Sequence, residues 1–158
     1  MKHLSAIVML GGVILAGPVA AQDVDAGRKV AGQCRTCHGI EGKAAIPIAP
    51  NIGGESAAYL DRQLKAFRSG EREHEMMTVV AKNLSDDQIA NVAAWYAAQQ
   101  AKPVPPAGFE PDAAPELCAG CHGPDGIAVI EDAPHLAGEN TIYLQTQLKA
   151  FRSGARQH

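Results

Sequence analysis

The chain has 158 residues, with 14 Lys+Arg against 17 Asp+Glu, a formal net charge of −3, and only one Trp, three Tyr and three Phe. That mild acidity excludes nucleic-acid binding through a basic patch. So few aromatic residues leave a small domain short of core material of its own.

Residues 1–21 read as a secretory signal peptide. Lys2 gives the positive start, Leu4 to Ala16 an apolar run broken only by Ser5 and glycines, and Val19-Ala20-Ala21 a small-residue cleavage site. The run is too short and too rich in Gly for a membrane span, which needs about 20 apolar residues. The mature chain is expected to begin near Gln22, with no transmembrane segment and its charge moved from −3 to −4 by the loss of Lys2. Its expected location is the periplasm.

Val24 to Cys37 is predicted as a helix whose end carries Cys34-Arg35-Thr36-Cys37-His38. CxxCH is the attachment pattern for c-type haem: two thiols add across the haem vinyl groups, and the adjoining histidine ligates the iron. One helical turn brings both sulfurs to one macrocycle edge and the imidazole under its centre. A second copy, Cys118-Ala119-Gly120-Cys121-His122, uses the remaining two of the four cysteines. A zinc site would bring the CxxC pairs within roughly 15 to 20 residues, whereas here about eighty separate them. A thioredoxin-like pair would sit in an alternating strand and helix pattern, which the sequence does not show.

Ala45 to Gly54, rich in Pro and Gly, is predicted as loop. A helix follows from Ser56 as N-cap to Gly70, with Ala57, Leu60, Leu64 and Phe67 on one face. Another begins at Ser85, where Gln88 completes a capping box and Ile89, Val92, Ala93 and Tyr96 form the buried stripe. No stretch alternates as a strand, and the expected fold is all-α.

Cys118 lies 84 positions after Cys34, and that shift lays residues 34–74 on 118–158 without a gap, more than half of the pairs being identical. Pro50 falls on Pro134, Gly54-Glu55 on Gly138-Glu139, Tyr59-Leu60 on Tyr143-Leu144, and Gln63 to Gly70 on Gln147 to Gly154. A whole module is duplicated. The expected division is a first domain at 22–101, a Pro-rich linker at 102–111 that cannot continue a helix, and a second domain at 112–158.

The CxxCH helix, the Pro50 loop, the Tyr59-Leu60-x-x-Gln63-Leu64 helix, the methionine near residue 77 and the Leu84-Ser85-Asp86 to Trp95-Tyr96 helix resemble a class I c-type cytochrome. The tandem arrangement resembles its bacterial dihaem branch, the c-four type. The resemblance implies two class I cytochrome c domains, each an all-α wrap around a haem, and a periplasmic electron carrier rather than an enzyme. It implies two covalent haem c groups with their iron, held by Cys34 and Cys37 and by Cys118 and Cys121. His38 and His122 are the proximal ligands, their other ring nitrogen bonded to the carbonyls of Pro50 and Pro134. A methionine on the distal side completes the carrier arrangement. Met76 and Met77 both stand in the segment, His74 is nearby, and the family pattern favours Met77. Arg68 and Arg72 are candidates to meet haem propionates.

The second copy departs from the pattern. The counterpart of Met77 would fall at position 161, and the counterpart of the Ser85 helix lies further on, beyond His158. The sequence therefore reads as a C-terminally truncated piece of a longer dihaem protein. The rival expectation is a haem enzyme or ligand sensor that uses an open second iron, with His135 or His158 as a makeshift ligand. Expected partners are redox proteins: a membrane oxidase, a reductase, or a periplasmic dehydrogenase whose cytochrome subunit this chain would be. No nucleotide fingerprint or nucleophile constellation suggests chemistry of its own.

Overall fold

Seven helices, and no strand among the described residues, make up the computed structural model, which describes residues 22–100, 104, 105, 107, 108, 110 and 115–157. The expected signal peptide, half of the expected linker and His158 lie outside these residues.

Asp23 caps α1 (Val24–Ala31) by accepting from the Ala26 amide at 2.9 Å, and Asp25 in the first turn and Arg28 and Lys29 in the last suit the helix dipole. The helix expected to run unbroken to Cys37 stops at Ala31. Gly32, Gln33 and Cys34 each bond three residues back, at 3.3, 3.1 and 3.0 Å, and this tight turn re-aims the chain before α2 (Arg35–His38). Glycine at 32 weakens helix propagation, and the break separates α1, which buries only Gly27 and Ala31, from the attachment turn. Gly39 follows at φ 71°, and a Cβ there would lie 2.3 Å from the Lys43 carbonyl oxygen. Only glycine reverses the chain so tightly behind His38.

The predicted caps at Ser56 and Ser85 are present. Ser56 accepts from the Tyr59 amide at 3.3 Å to start α3 (Ala57–Ser69), and Gly70 ends it at φ 84°. Ser85 and Gln88 exchange the two bonds of a capping box, 3.2 and 2.9 Å, to start α5 (Asp86–Ala97). Between them lies a helix the periodicity did not predict, α4 (Met77–Lys82), too short for a repeating pattern and without a side-chain cap.

The first module is a crossing of α1 with α5, and α3 packs against both α4 and α5. Ala31, Tyr59, Leu60, Val92, Ala93 and Tyr96 form the buried centre, with Leu64, Trp95 and Cys34 partly buried against it. The crossing is close because α1 presents Gly27: a Cβ there would sit 2.0 Å from the Asn91 carbonyl oxygen and 2.9 Å from Trp95 Cβ.

The second module repeats α2 and α3 as α6 (Glu116–His122) and α7 (Thr141–Ser153), with Gly154 again left-handed at φ 76°. Its counterparts of the buried Tyr59, Leu60 and Phe67, namely Tyr143, Leu144 and Phe151, are only half-buried. Leu148 is 68% exposed. Nothing among the described residues covers α7 as α5 covers α3.

The two modules meet through an interface in which the Arg72/Arg156 and Glu55/Glu139 contacts occur in reciprocal pairs, a pseudo-twofold relation. Arg72 donates to Gln63 of its own module at 2.6 Å and to Tyr143 and Gln147 of the other at 3.1 and 2.8 Å. Its counterpart Arg156 donates to Gln147 at 2.6 Å and across to Tyr59 and Gln63, both at 3.4 Å. Each guanidinium lies over its own module's phenylalanine, Phe67 at 4.4 Å and Phe151 at 4.5 Å. Glu55 and Glu139 make the second reciprocal pair, each carboxyl accepting a backbone N–H from the opposite module.

Candidate haem-binding site

Each proximal site is built from one helical turn and one loop. In the first module α2 holds Cys34, Cys37 and His38 in sequence, and the loop returns Pro50 beneath the histidine. His38 is buried, and its Nδ1 lies 3.0 Å from the Pro50 carbonyl oxygen. In the second module His122 Nδ1 lies 2.8 Å from the Pro134 carbonyl oxygen. A carbonyl can only accept, so Nδ1 carries a proton in both rings and Nε2 is the nitrogen left to face a metal. Burial holds the His38 imidazole below its ordinary value, and the Pro50 bond opposes that shift only in part. A neutral ring with a fixed tautomer is the form a metal ligand needs.

The sulfurs match that reading. All four cysteines are free thiols, Cys34, Cys37 and Cys121 half-buried and Cys118 exposed. Burial pushes the Cys34 thiol up, with the Tyr96 hydroxyl opposing. These residues fit covalent haem: two thiols, an imidazole held through Nδ1 and a backbone acceptor recur at the same spacing in both modules.

Helix α5 fixes the turn from the other side. Tyr96 donates its hydroxyl to the Gly39 carbonyl at 3.2 Å, Trp95 donates Nε1 to the Ile40 carbonyl at 2.9 Å, and the Gly54 amide donates to the Tyr96 carbonyl at 2.9 Å. The α5 residues thus tie down both the segment after His38 and the end of the Pro50 loop. The sequence marks Tyr96 as part of a buried stripe; its polar role depends on the α1 and α5 crossing, which no local pattern encodes.

On the distal side the structure separates the neighbouring methionines. Met77 opens α4 and is half-buried, whereas Met76 is 61% exposed. His74 is exposed, and its Nδ1 accepts the Met76 and Met77 amides at 3.3 and 3.4 Å, which shapes the turn into α4. The alternative ligand His135 accepts the Ala128 amide through Nδ1 at 2.9 Å.

The two arginines expected near propionates also have partners within the protein. Arg68 donates to the Leu84 carbonyl at 2.9 Å and to Asp86 at 2.5 Å, which ties the end of α3 to the start of α5. Arg72 is placed at the module interface described above, where neutral amide and phenol oxygens engage its fork. The interface residues Glu55, Tyr59, Gln63 and Arg72 were missed as a group. The available signal was that they are identical in both copies although polar.

Comparison with known proteins agrees with this geometry. The cytochrome c family profile matches residues 24–98. Cytochrome c4 of Pseudomonas aeruginosa is 33% identical over 151 residues, covering 87% of this chain and 75% of that protein. The chain belongs to the cytochrome c family. It is an electron-transfer protein whose cofactor is covalent haem c with its iron. Within the family it is similar to the dihaem c4 type. The crystal structure of reduced recombinant cytochrome c4 from Pseudomonas stutzeri superposes with a TM-score of 0.74 at 28% identity, covering 87% of this chain and 84% of that one. A thiosulfate dehydrogenase electron acceptor of Thiomonas intermedia is 31% identical, with 99% of this chain and 78% of that protein aligned. No helix among the described residues is long and apolar enough to cross a membrane.

Proposed function

We propose that the chain holds two haems in tandem and works in the periplasm, relaying single electrons between a dehydrogenase and a respiratory acceptor. Residues 1–21 would direct export, residues 22–101 and 112–158 would each hold one haem, and 102–111 would join them. The observation that carries this reading is the double occurrence of CxxCH with a His Nδ1 to Pro carbonyl bond, 3.0 Å in one copy and 2.8 Å in the other.

In this reading Cys34 and Cys37 hold the first macrocycle, and Cys118 and Cys121 the second. His38 and His122 present Nε2 to the irons, and Met77 closes the first distal side. Haem so held supplies a reversible one-electron change at its iron. The protein keeps the imidazole oriented through Pro50, limits water at the site and leaves little to rearrange on each transfer. The chain passes electrons on, and any substrate belongs to its partner. The relative named as an acceptor for thiosulfate dehydrogenase supports a periplasmic dehydrogenase as the donor.

Haem content tests the count. The purified chain should carry two haems that denaturation does not release, and the double variant C118A/C121A should carry one. A single haem in the unaltered chain would overturn the tandem reading. For the donor, reduction of the chain by a thiosulfate-reduced dehydrogenase is expected to weaken as salt is raised, as charged protein encounters do.

A further inference from the structure

The two reciprocal glutamate contacts end on the peptide units that support the proximal histidines. The unit between Pro50 and Asn51 accepts from His38 through its C=O at 3.0 Å. Its N–H donates to the Glu139 carboxyl of the opposite module at 3.0 and 3.1 Å. The unit between Pro134 and His135 accepts from His122 at 2.8 Å, and its N–H donates to Glu55 of the opposite module at 3.1 Å to each oxygen. Glu55 is buried and Glu139 half-buried, so water competes little for either contact. Glu139 is further fixed by accepting the Asn140 amide at 2.5 Å, with the Asn51 side chain at 3.4 Å.

We infer that each module's glutamate tunes the haem of the other module through one peptide unit. A peptide is a resonance-coupled group, so an anion drawing on its N–H pushes electron density onto its C=O. A more negative oxygen pulls harder on the histidine Nδ1 proton and gives the ring more imidazolate character. A more basic ring favours ferric over ferrous iron, and hydrogen bonding beyond the ligand is an established control on potential. In their ionised form Glu139 thereby lowers the potential of the first haem, and Glu55 that of the second. Both relays exist only when the modules are docked, so docking itself sets the potentials. Glu55 and Glu139 are positioning residues that act through the histidines.

The inference rests on His38 and His122 being the axial ligands, and the test separates the two. The full haem-loaded chain is compared with E139Q, E55Q and, as an interface control, R72Q, at pH 9, above the value of about 8 to which burial pushes Glu55. The readouts are the midpoint potentials and the proton resonances of the ligand imidazoles in the reduced protein. E139Q should raise the first haem's potential by up to about tenfold in the reduction equilibrium, which is about 59 mV for one electron. It should also move the His38 Nδ1 proton upfield, as a weakened hydrogen bond does. E55Q should do the same at His122 and leave His38 in place, whereas R72Q, which loosens the docked interface itself, should move both protons together. An unchanged His38 proton and first potential in E139Q, or an E139Q shift shared equally by His122, would overturn the relay while leaving the ligands intact. Loss of the ring-current shift that marks an imidazole bound to haem iron would overturn the axial assignment and the relay with it.

Discussion

At the scale of single residues, the site depends on atoms whose hydrogen-bonding capacity admits one arrangement. The Pro50 carbonyl cannot donate, so it fixes the His38 tautomer at 3.0 Å, and Pro134 does the same for His122 at 2.8 Å. The motif residues were legible in the sequence because covalent attachment fixes residue type and spacing together, whereas the role of the two prolines came only with the family resemblance. The choice between Met76 and Met77 was not legible from the residues themselves, since adjacent side chains differ in direction only once a helix is placed; α4 leaves Met76 61% exposed and Met77 half-buried. The M77A variant of the haem-loaded protein should lose the weak near-infrared band of sulfur bound to ferric iron, while M76A keeps it. The reverse result in the absorption spectra would reassign the ligand.

At the scale of elements, the first module is held by a close crossing and two strong caps. Adding a methyl at Gly27 drives it into the Asn91 carbonyl at 2.0 Å. G27A should therefore destabilise the protein by about 1–3 kcal/mol, read as a lowered midpoint in chemical unfolding. S85A removes the acceptor for the Gln88 amide at 3.2 Å and should cost about 1 kcal/mol. A change within about 0.3 kcal/mol for either would contradict these roles. Both caps and both buried stripes were legible because they follow local rules: a hydroxyl before the first turn, and apolar residues at helical spacing. The break after Ala31 and the whole of α4 were not. The break depends on how α1 meets α5, and α4 has six residues, too few for a periodicity to emerge.

At the scale of the whole molecule, duplication has produced an interface from residues that each copy already carried. Arg72 with Gln147 and Arg156 with Gln63 are the same pairing read in the two directions. Sequence alone displayed the repeat but not its use, because a contact between copies leaves no trace except polar identity. The interface includes a carboxyl that titrates out of its usual range: burial pushes Glu55 up to about 8, the His135 amide opposes, and nearby Glu139, also raised by burial, adds to the shift. A folded value above the unfolded 4.5 means that the native state holds the proton more tightly. The stabilising contribution is complete below about pH 4.5 and is lost as pH rises through about 8. Thermal midpoints measured from pH 5 to 9 should fall more steeply in the unaltered protein than in E55Q, and equal slopes would contradict the assignment.

The proposed carrier site, in which His38 and Met77 would close the two axial positions, is tested most directly by the visible and near-infrared spectrum of the haem-loaded chain, oxidised and reduced. A low-spin spectrum with the near-infrared sulfur band, converted completely and reversibly by one electron per haem, is the predicted result for the first module. A first haem that is high-spin, or that lacks the sulfur band in the unaltered chain, would contradict it.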